Sequence, residues 1–175
     1  MKLYIILNYI VVINKCERGG GSLCYQSVKN IKQTTSFNCG PTTVLQTLYG
    51  LGSASAVDGS TDETKIATLQ REYNVGSDGM YVSNVVAALN KYNKGNQTYS
   101  SRLGSGLSLE GFADNIAASL TSGKQVVLHA RTGRLKYYEG NDYRHYLSLD
   151  YFDRSTNTVR IVDCINKESP FYLMC

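Results

Sequence analysis

The chain has 175 residues, the size of one domain with a sizeable core, and its 42% hydrophobic and 18% charged residues are ordinary for a globular protein. The net charge of +4 comes from scattered Lys and Arg residues without a basic cluster, so nucleic-acid binding is not expected. There is no run of about twenty apolar residues, and no membrane-spanning segment is therefore predicted.

Residues 1–27 are predicted to be an extension that precedes the domain. The apolar run 3–13 resembles the core of a short signal peptide, but Asn8 interrupts it and no A-x-A cleavage site follows. A Gly-rich linker stands at 17–22. A peripheral strand or a mobile extension is the alternative. The sequence favours a cytoplasmic protein, or a secreted or envelope-associated one if residues 1–16 act as a signal.

A cysteine at the start of a predicted helix is the most informative feature of the sequence. Cys39 precedes Gly40-Pro41 and a run with helical apolar spacing, so we predict a helix of about three turns that begins at Cys39 and ends at Gly50 or Gly52. The N-terminus of a helix stabilises an anion, and a thiolate is the reactive form of cysteine. Cys39 is therefore a candidate nucleophile, with a small buried core residue as the alternative.

The rest of the chain predicts three more helices followed mainly by strands. The helices begin near Thr61, after Gly79 and near Ser108. Strands are predicted at 98–100, 125–130, 145–152, 158–163 and 170–174. Helices first and antiparallel strands later is an α+β layout.

His145 and Asp163 lie on two predicted strands that the polar turn 153–157 joins, so a hairpin would place them side by side. An imidazole beside a thiol forms a thiolate–imidazolium pair and later protonates a leaving amine, and an acid on its other nitrogen orients the ring. His129 is the rival base, but no acid is placed at the end of the following strand. A turn-capping role is the alternative for Asp163.

These residues together resemble the papain-like cysteine peptidases, and more narrowly the bacteriocin-leader (double-glycine) peptidases and their stand-alone relatives. The matching blocks are, in chain order, Gln33, Asn38-Cys39-Gly40, His145-Tyr146 and Asp163. The resemblance covers roughly residues 28–172. It implies that residues 28–175 form a papain-like domain, with N-terminal helices packed on a C-terminal antiparallel sheet.

The resemblance also implies a role for each residue. Cys39 would be the nucleophile, His145 the general base and acid, and Asp163 the orienting residue. Gln33 would donate a hydrogen bond to the oxyanion, with Gln26 as the alternative donor. The family commonly has Pro after the Asp, and this chain has Cys164 there, which could be structural or could form a disulfide with Cys39.

The predicted activity is hydrolysis of peptide bonds in a peptide or protein substrate through a thioacyl-enzyme. A transglutaminase-like acyltransferase with the same triad is one alternative, and a catalytically inactive peptide-binding module is another. The mechanism requires no cofactor or metal. With two histidines and no C-x-x-C motif, no zinc site is expected. We expect the loops 93–106 and 132–143 to set specificity.

Overall fold

The structure, a computed structural model, describes residues 7–13, 23–25, 28–94, 98–102, 108–121, 125–134, 138–153, 158–165 and 171–174. Within these ranges the chain has four α-helices: α1 (Cys39–Gly50), α2 (Asp62–Glu72), α3 (Val82–Tyr92) and α4 (Leu109–Thr121). The predicted helices are confirmed, and α1 begins at Cys39 itself. Thr61 caps α2, since its side chain accepts the N–H of Thr64 and its own N–H donates to the Thr64 hydroxyl.

The described strands form one seven-stranded sheet. They are β1 (Leu7–Ile13), β2 (Leu23–Tyr25), β3 (Tyr99–Arg102), β4 (Val126–Arg131), β5 (Arg144–Asp153), β6 (Thr158–Val162) and β7 (Phe171–Met174). Their order is β3-β1-β4-β5-β6-β7, with β2 paired to β5, and every pairing is antiparallel. The predicted α+β class and the predicted hairpin of β5 and β6 are confirmed.

Two parts of the segment 1–27 belong to this sheet. β1 lies between β3 and β4, and β2 pairs with the end of β5. The sheet therefore extends beyond the C-terminal strands that the sequence assigned to it. The added strand β1 pairs with residues at least 86 positions further along the chain, as Ile13 does with Tyr99. The domain division at residue 27 and a targeting role for residues 1–16 stay predictions.

The described core has two parts, one on each face of the sheet. Residues of α1, α2 and α3 form the first part with Val127 and Tyr146, and residues of α4 form the second with Val126, Leu128 and Leu147. Neighbouring residues of β4 and β5 thus contribute to opposite parts, as the alternation of side chains along a strand requires. The central strands are buried on both faces for this reason.

The packing of α1 on β5 brings the start of the helix to the start of the strand. The hydroxyl of Thr43, in the first turns of α1, donates to the carbonyl of Tyr146 at 3.3 Å. Cys39 and His145 lie at these two starts, so the fold itself brings them together.

None of the helices in the described part of the chain has the length and apolar character that crossing a membrane requires.

Candidate active site

Cys39 is held at a well-anchored helix start. The preceding residue, Asn38, is fully buried, and its side chain accepts the N–H of Thr35 at 3.2 Å and donates to the Thr34 hydroxyl at 2.7 Å. Its carbonyl accepts the N–H of Thr42 at 3.0 Å, which closes the first turn of α1. Asn38 is the N-cap residue of α1, but its side chain is hydrogen-bonded to the preceding loop and makes no capping bond to the helix.

His145 lies between an acid and a thiol. It is 2% exposed at the beginning of β5, and its Nε2 lies 2.8 Å from Oδ1 of Asp163. The imidazole also acts on the nearby thiol of Cys39 and lowers the pKa of that thiol. The structure thus brings together three of the four predicted site residues, although Cys39 precedes the other two by more than a hundred residues of sequence.

Asp163 follows β6 directly and has no exposed surface. Besides His145, it accepts the hydroxyl of Tyr138 on Oδ2 at 2.6 Å and the N–H of Ile165 on Oδ1 at 2.9 Å. Tyr138 was not among the predicted site residues. Tyr138 is 7% exposed, and nothing in the polar loop around it indicates a buried partner.

The electrostatics of the three groups favour a charged pair. Burial raises the pKa of the Cys39 thiol, but the hydrogen bond and charge of His145, together with backbone bonds from Tyr146 and Gly40, bring it below its usual range. Burial lowers the pKa of His145, but hydrogen bonds to Asp163, Cys164 and Cys39 raise it well above its usual value. Both shifts favour a thiolate beside an imidazolium over two neutral groups.

The acid at the other side of the ring stays ionised. Burial raises the pKa of Asp163, but the hydrogen bond and charge of His145, with the bonds from Tyr138 and Ile165, bring it below its usual value. A negative Asp163 is what keeps His145 protonated.

Gln33, the fourth predicted residue, is half-buried beside this group. Its Nε2 donates to the carbonyl of Thr35 at 2.9 Å, and its Oε1 accepts the thiol of Cys164 at 3.1 Å. Its backbone N–H donates to the carbonyl of Cys164 at 2.8 Å. Among the described contacts Gln33 has no direct bond to Cys39. The alternative donor, Gln26, lies outside the described residues.

Cys164 is more central than its sequence position alone indicates. Its sulfur lies 3.8 Å from Nε2 of His145 and 4.0 Å from the carbonyl oxygen of Cys39, and it has no exposed surface. Burial raises the pKa of this thiol, so it stays protonated while Cys39 ionises. Both thiols are free in the structure.

One group of donor atoms among the described residues has the spacing of a metal site. The donor atoms of His145, Asp163 and Cys164 all lie within 4.8 Å of one another and are buried. A cation bound there would need Nε2 of His145 as a ligand, and that atom is already hydrogen-bonded to Asp163. The hydrogen bonds of the three residues account for their arrangement without an ion.

His129, the rival base, has a different environment. Its ring stacks on Tyr146, with 4.4 Å between centroids and 21° between planes. Burial, and then the charges of Arg144 and His145, lower its pKa to about 4. His129 is therefore neutral near pH 7 and does not form the charged partner that a thiolate requires.

A cleft of about 480 Å³ opens beside Cys39. Its walls include Tyr146, His129 and Arg144 on the strand side and a segment from Asp78 to Ser83 on the helix side. Tyr81 in that segment is 67% exposed. Sequence analysis did not assign the 78–83 segment to the site, because only the fold carries it to Cys39. The specificity roles of the loops 93–106 and 132–143 stay predictions.

Comparison with known proteins gives one family. The model described as "Peptidase_C39 like family" matches residues 25–172, which is most of the chain. No curated protein matches this chain. The matched range contains all four predicted site residues, and the described α+β architecture is that of the papain-like C39 peptidases.

The charged pair predicts that Cys39 reacts with iodoacetamide at unusually low pH. An ordinary thiol of pKa about 8.5 is only about 0.3% ionised at pH 6, so we expect His145→Ala to slow alkylation at pH 6 by about 100-fold. The rate in the wild type should decline as pH falls through the lowered pKa of Cys39. Rates are measured by peptide mapping, which separates Cys39 from the other cysteines.

His129→Gln is the matched control for this experiment, because it removes the other imidazole of the chain. It should leave the low-pH alkylation within about threefold of the wild-type rate, since a neutral ring does not stabilise the thiolate. Equal slow rates in the wild type and in His145→Ala would contradict the charged pair.

A second prediction concerns Gly40, beside the thiol. A Cβ there would lie 2.5 Å from Cβ of Met80, whose carbonyl accepts the hydroxyl of Tyr146 at 2.7 Å. We expect Gly40→Ala to lower the free energy of unfolding by about 1–3 kcal/mol, because the 78–83 segment must move away from α1. Urea denaturation measures this change. Gly76→Ala, where a Cβ meets nothing within 4 Å, should stay within about 0.5 kcal/mol, and equal effects of both substitutions would contradict the close contact.

Proposed function

Because this chain belongs to the Peptidase_C39-like family of cysteine peptidases, we propose that it hydrolyses peptide bonds through a thioacyl-enzyme on Cys39. The observation that supports this most directly is the buried imidazole of His145, which is hydrogen-bonded to Asp163 and lowers the pKa of the Cys39 thiol. Such an arrangement provides a nucleophile, a proton carrier and an orienting acid in one unit.

In the first half of the proposed reaction, the Cys39 thiolate attacks the carbonyl carbon of the scissile bond. Asp163 holds Nε2 of His145, which leaves Nδ1 to face the thiol and the leaving group. As the tetrahedral intermediate breaks down, the imidazolium gives its proton to the departing amine. The C–N bond breaks, and the acyl group stays on the sulfur of Cys39.

In the second half, the neutral His145 acts as a base. It takes a proton from water, whose oxygen attacks the thioester and releases the carboxylic acid and the Cys39 thiolate. Asp163 stays ionised throughout, and its charge stabilises each imidazolium that forms. Neither half of the reaction requires a metal or a cofactor.

The oxyanion that forms in both halves needs hydrogen-bond donors. We assign this role to the backbone N–H of Cys39 and to Nε2 of Gln33. An amide nitrogen has two hydrogens, and Thr35 accepts one of them, so the second is available. Gln33 is only half-buried, so its side chain is not fully enclosed by the protein.

The partner is a peptide or protein in an extended conformation, seated in the cleft beside Cys39. The exposed ring of Tyr81 offers a stacking surface at its rim. Asp78 and Arg144 are charged groups in the lining of the same cleft, and neither forms an ion pair within the described chain. Both are therefore available to bind charged groups of a substrate.

The proposal is tested by digestion of a peptide library with wild type, Cys39→Ala and His145→Gln, with new chain ends identified by mass spectrometry. The library includes peptides with a Gly-Gly pair, the sequence that leader peptidases of this type recognise. We expect new carboxyl ends in the wild-type digest, none with Cys39→Ala, and at least a thousandfold fewer with His145→Gln. Identical digests from wild type and Cys39→Ala would contradict peptidase activity.

Added glycinamide distinguishes the acyltransferase from the hydrolase in the same library. Capture of the acyl group by the amine would yield peptides that end in glycinamide, whereas hydrolysis yields free carboxylates. Glycinamide adducts as the main product would overturn hydrolysis in favour of acyl transfer. Peptides retained equally by wild type and Cys39→Ala, with no cleavage, would identify a binding module.

A further inference from the structure

We propose that Cys164 is a positioning residue that holds Gln33 in the orientation in which it donates to the oxyanion. This inference rests on the proposed function, because it assigns a supporting residue to the same site. It follows from contacts of Cys164 that neither the family match nor the sequence order of the site residues provides.

The first observation is that Cys164 binds Gln33 at two points. The carbonyl of Cys164 accepts the backbone N–H of Gln33 at 2.8 Å, and its thiol donates to the side-chain Oε1 of Gln33 at 3.1 Å. The backbone bond fixes where the Gln33 main chain lies, and the thiol bond fixes where its side chain points. Gln33 is thereby tied to the residue that directly follows Asp163.

The second observation is that the two ends of the Gln33 amide have partners of opposite kind. Oε1 faces a thiol that donates, and Nε2 faces the carbonyl of Thr35, which accepts. If the Gln33 amide were flipped, its oxygen would face the carbonyl oxygen of Thr35, and its NH2 group would face the thiol hydrogen of Cys164. The two contacts together therefore select one orientation, with the second Nε2 hydrogen left for a ligand.

The third observation is that the thiol has the protonation state this role needs. Cys164 is fully buried, and burial raises its pKa, so the S–H donor persists while Cys39 is a thiolate. Its sulfur also lies 4.0 Å from the carbonyl oxygen of Cys39. Cys164 thus lies between the nucleophile and the amide and fixes the spacing of the two proposed oxyanion donors.

Two reactions of Cys39 separate this role from others. Acylation by the p-nitrophenyl ester of N-acetylglycine forms a C–S bond, places negative charge on the carbonyl oxygen and then expels p-nitrophenolate, so it uses the oxyanion donors. Alkylation by iodoacetamide displaces iodide directly and forms no oxyanion. The ratio of the two rates therefore reports the oxyanion donors alone, while the thiolate affects both rates.

We expect Gln33→Ala to slow acylation about 100-fold with alkylation unchanged. Cys164→Ala should slow acylation about tenfold more than it slows alkylation, because the alkylation rate records separately the loss of the Cys164 contact with His145. Cys164→Ser keeps a donor and should stay within about threefold of wild type. In the Gln33→Ala background, Cys164→Ala should add no further loss, because the group that it positions is gone. All measurements are made with tris(2-carboxyethyl)phosphine, so that no disulfide with Cys39 contributes.

Three results would overturn the inference. The first is acylation of Cys164→Ala at the wild-type rate, and the second is a fall of its acylation and alkylation rates by the same factor. The third is a double variant whose acylation rate falls by the product of the two single factors. If Cys164→Ala does not fold, Cys164→Val removes the donor while filling the space and is read in the same way. A wild-type Cys39 inert to both reagents would instead refute the proposed function, and the inference with it.

Discussion

The hydrogen bond between Asp163 and His145 is the interaction on which the rest of the site depends. A carboxylate with no exposed surface is stable only if its oxygens are satisfied, and here an imidazole, the Tyr138 hydroxyl and the Ile165 N–H share that task. The resulting negative charge keeps His145 protonated although the ring is buried. The protonated ring in turn keeps Cys39 ionised.

This chain of charges requires three rigid supports. Cys39 begins a helix whose preceding turn is fixed by Asn38, His145 begins a central strand, and Asp163 follows the strand paired to it. Reactive groups must be held to within about 0.5 Å, and helices and strands achieve this better than loops do. The proposed oxyanion donor, Gln33, lies in a loop, which explains why it needs the additional contacts that Cys164 provides.

The sequence was informative where local rules decide the structure. Pro41 predicted the start of α1, Gly50 or Gly52 its end, and the apolar spacing after Gly79 predicted α3. The position of β1 between β3 and β4 could not be predicted, because an apolar run of this length fits a signal segment, a buried strand or a helix equally well. Its pairing partners are far away in the chain.

The same distinction holds for the site. The proximity of Cys39, His145 and Asp163 was predictable, because each has a local setting that suits the proposed chemistry. The contacts of Tyr138 and Cys164, and the 78–83 wall of the cleft, come from tertiary packing, and no local pattern marks a tyrosine that will bond a buried carboxylate. Residues that support a site are harder to predict than residues that react.

The site depends on a positive charge on His145 at neutral pH. Nitrogen NMR of histidine-labelled protein measures this protonation state. The sequence has only two histidines, so His129→Gln assigns both signals. At pH 7 we expect both ring nitrogens of His145 to be protonated, while His129, whose pKa is lowered to about 4, has a neutral ring. A neutral His145 ring at pH 7 in the wild-type protein would contradict this expectation.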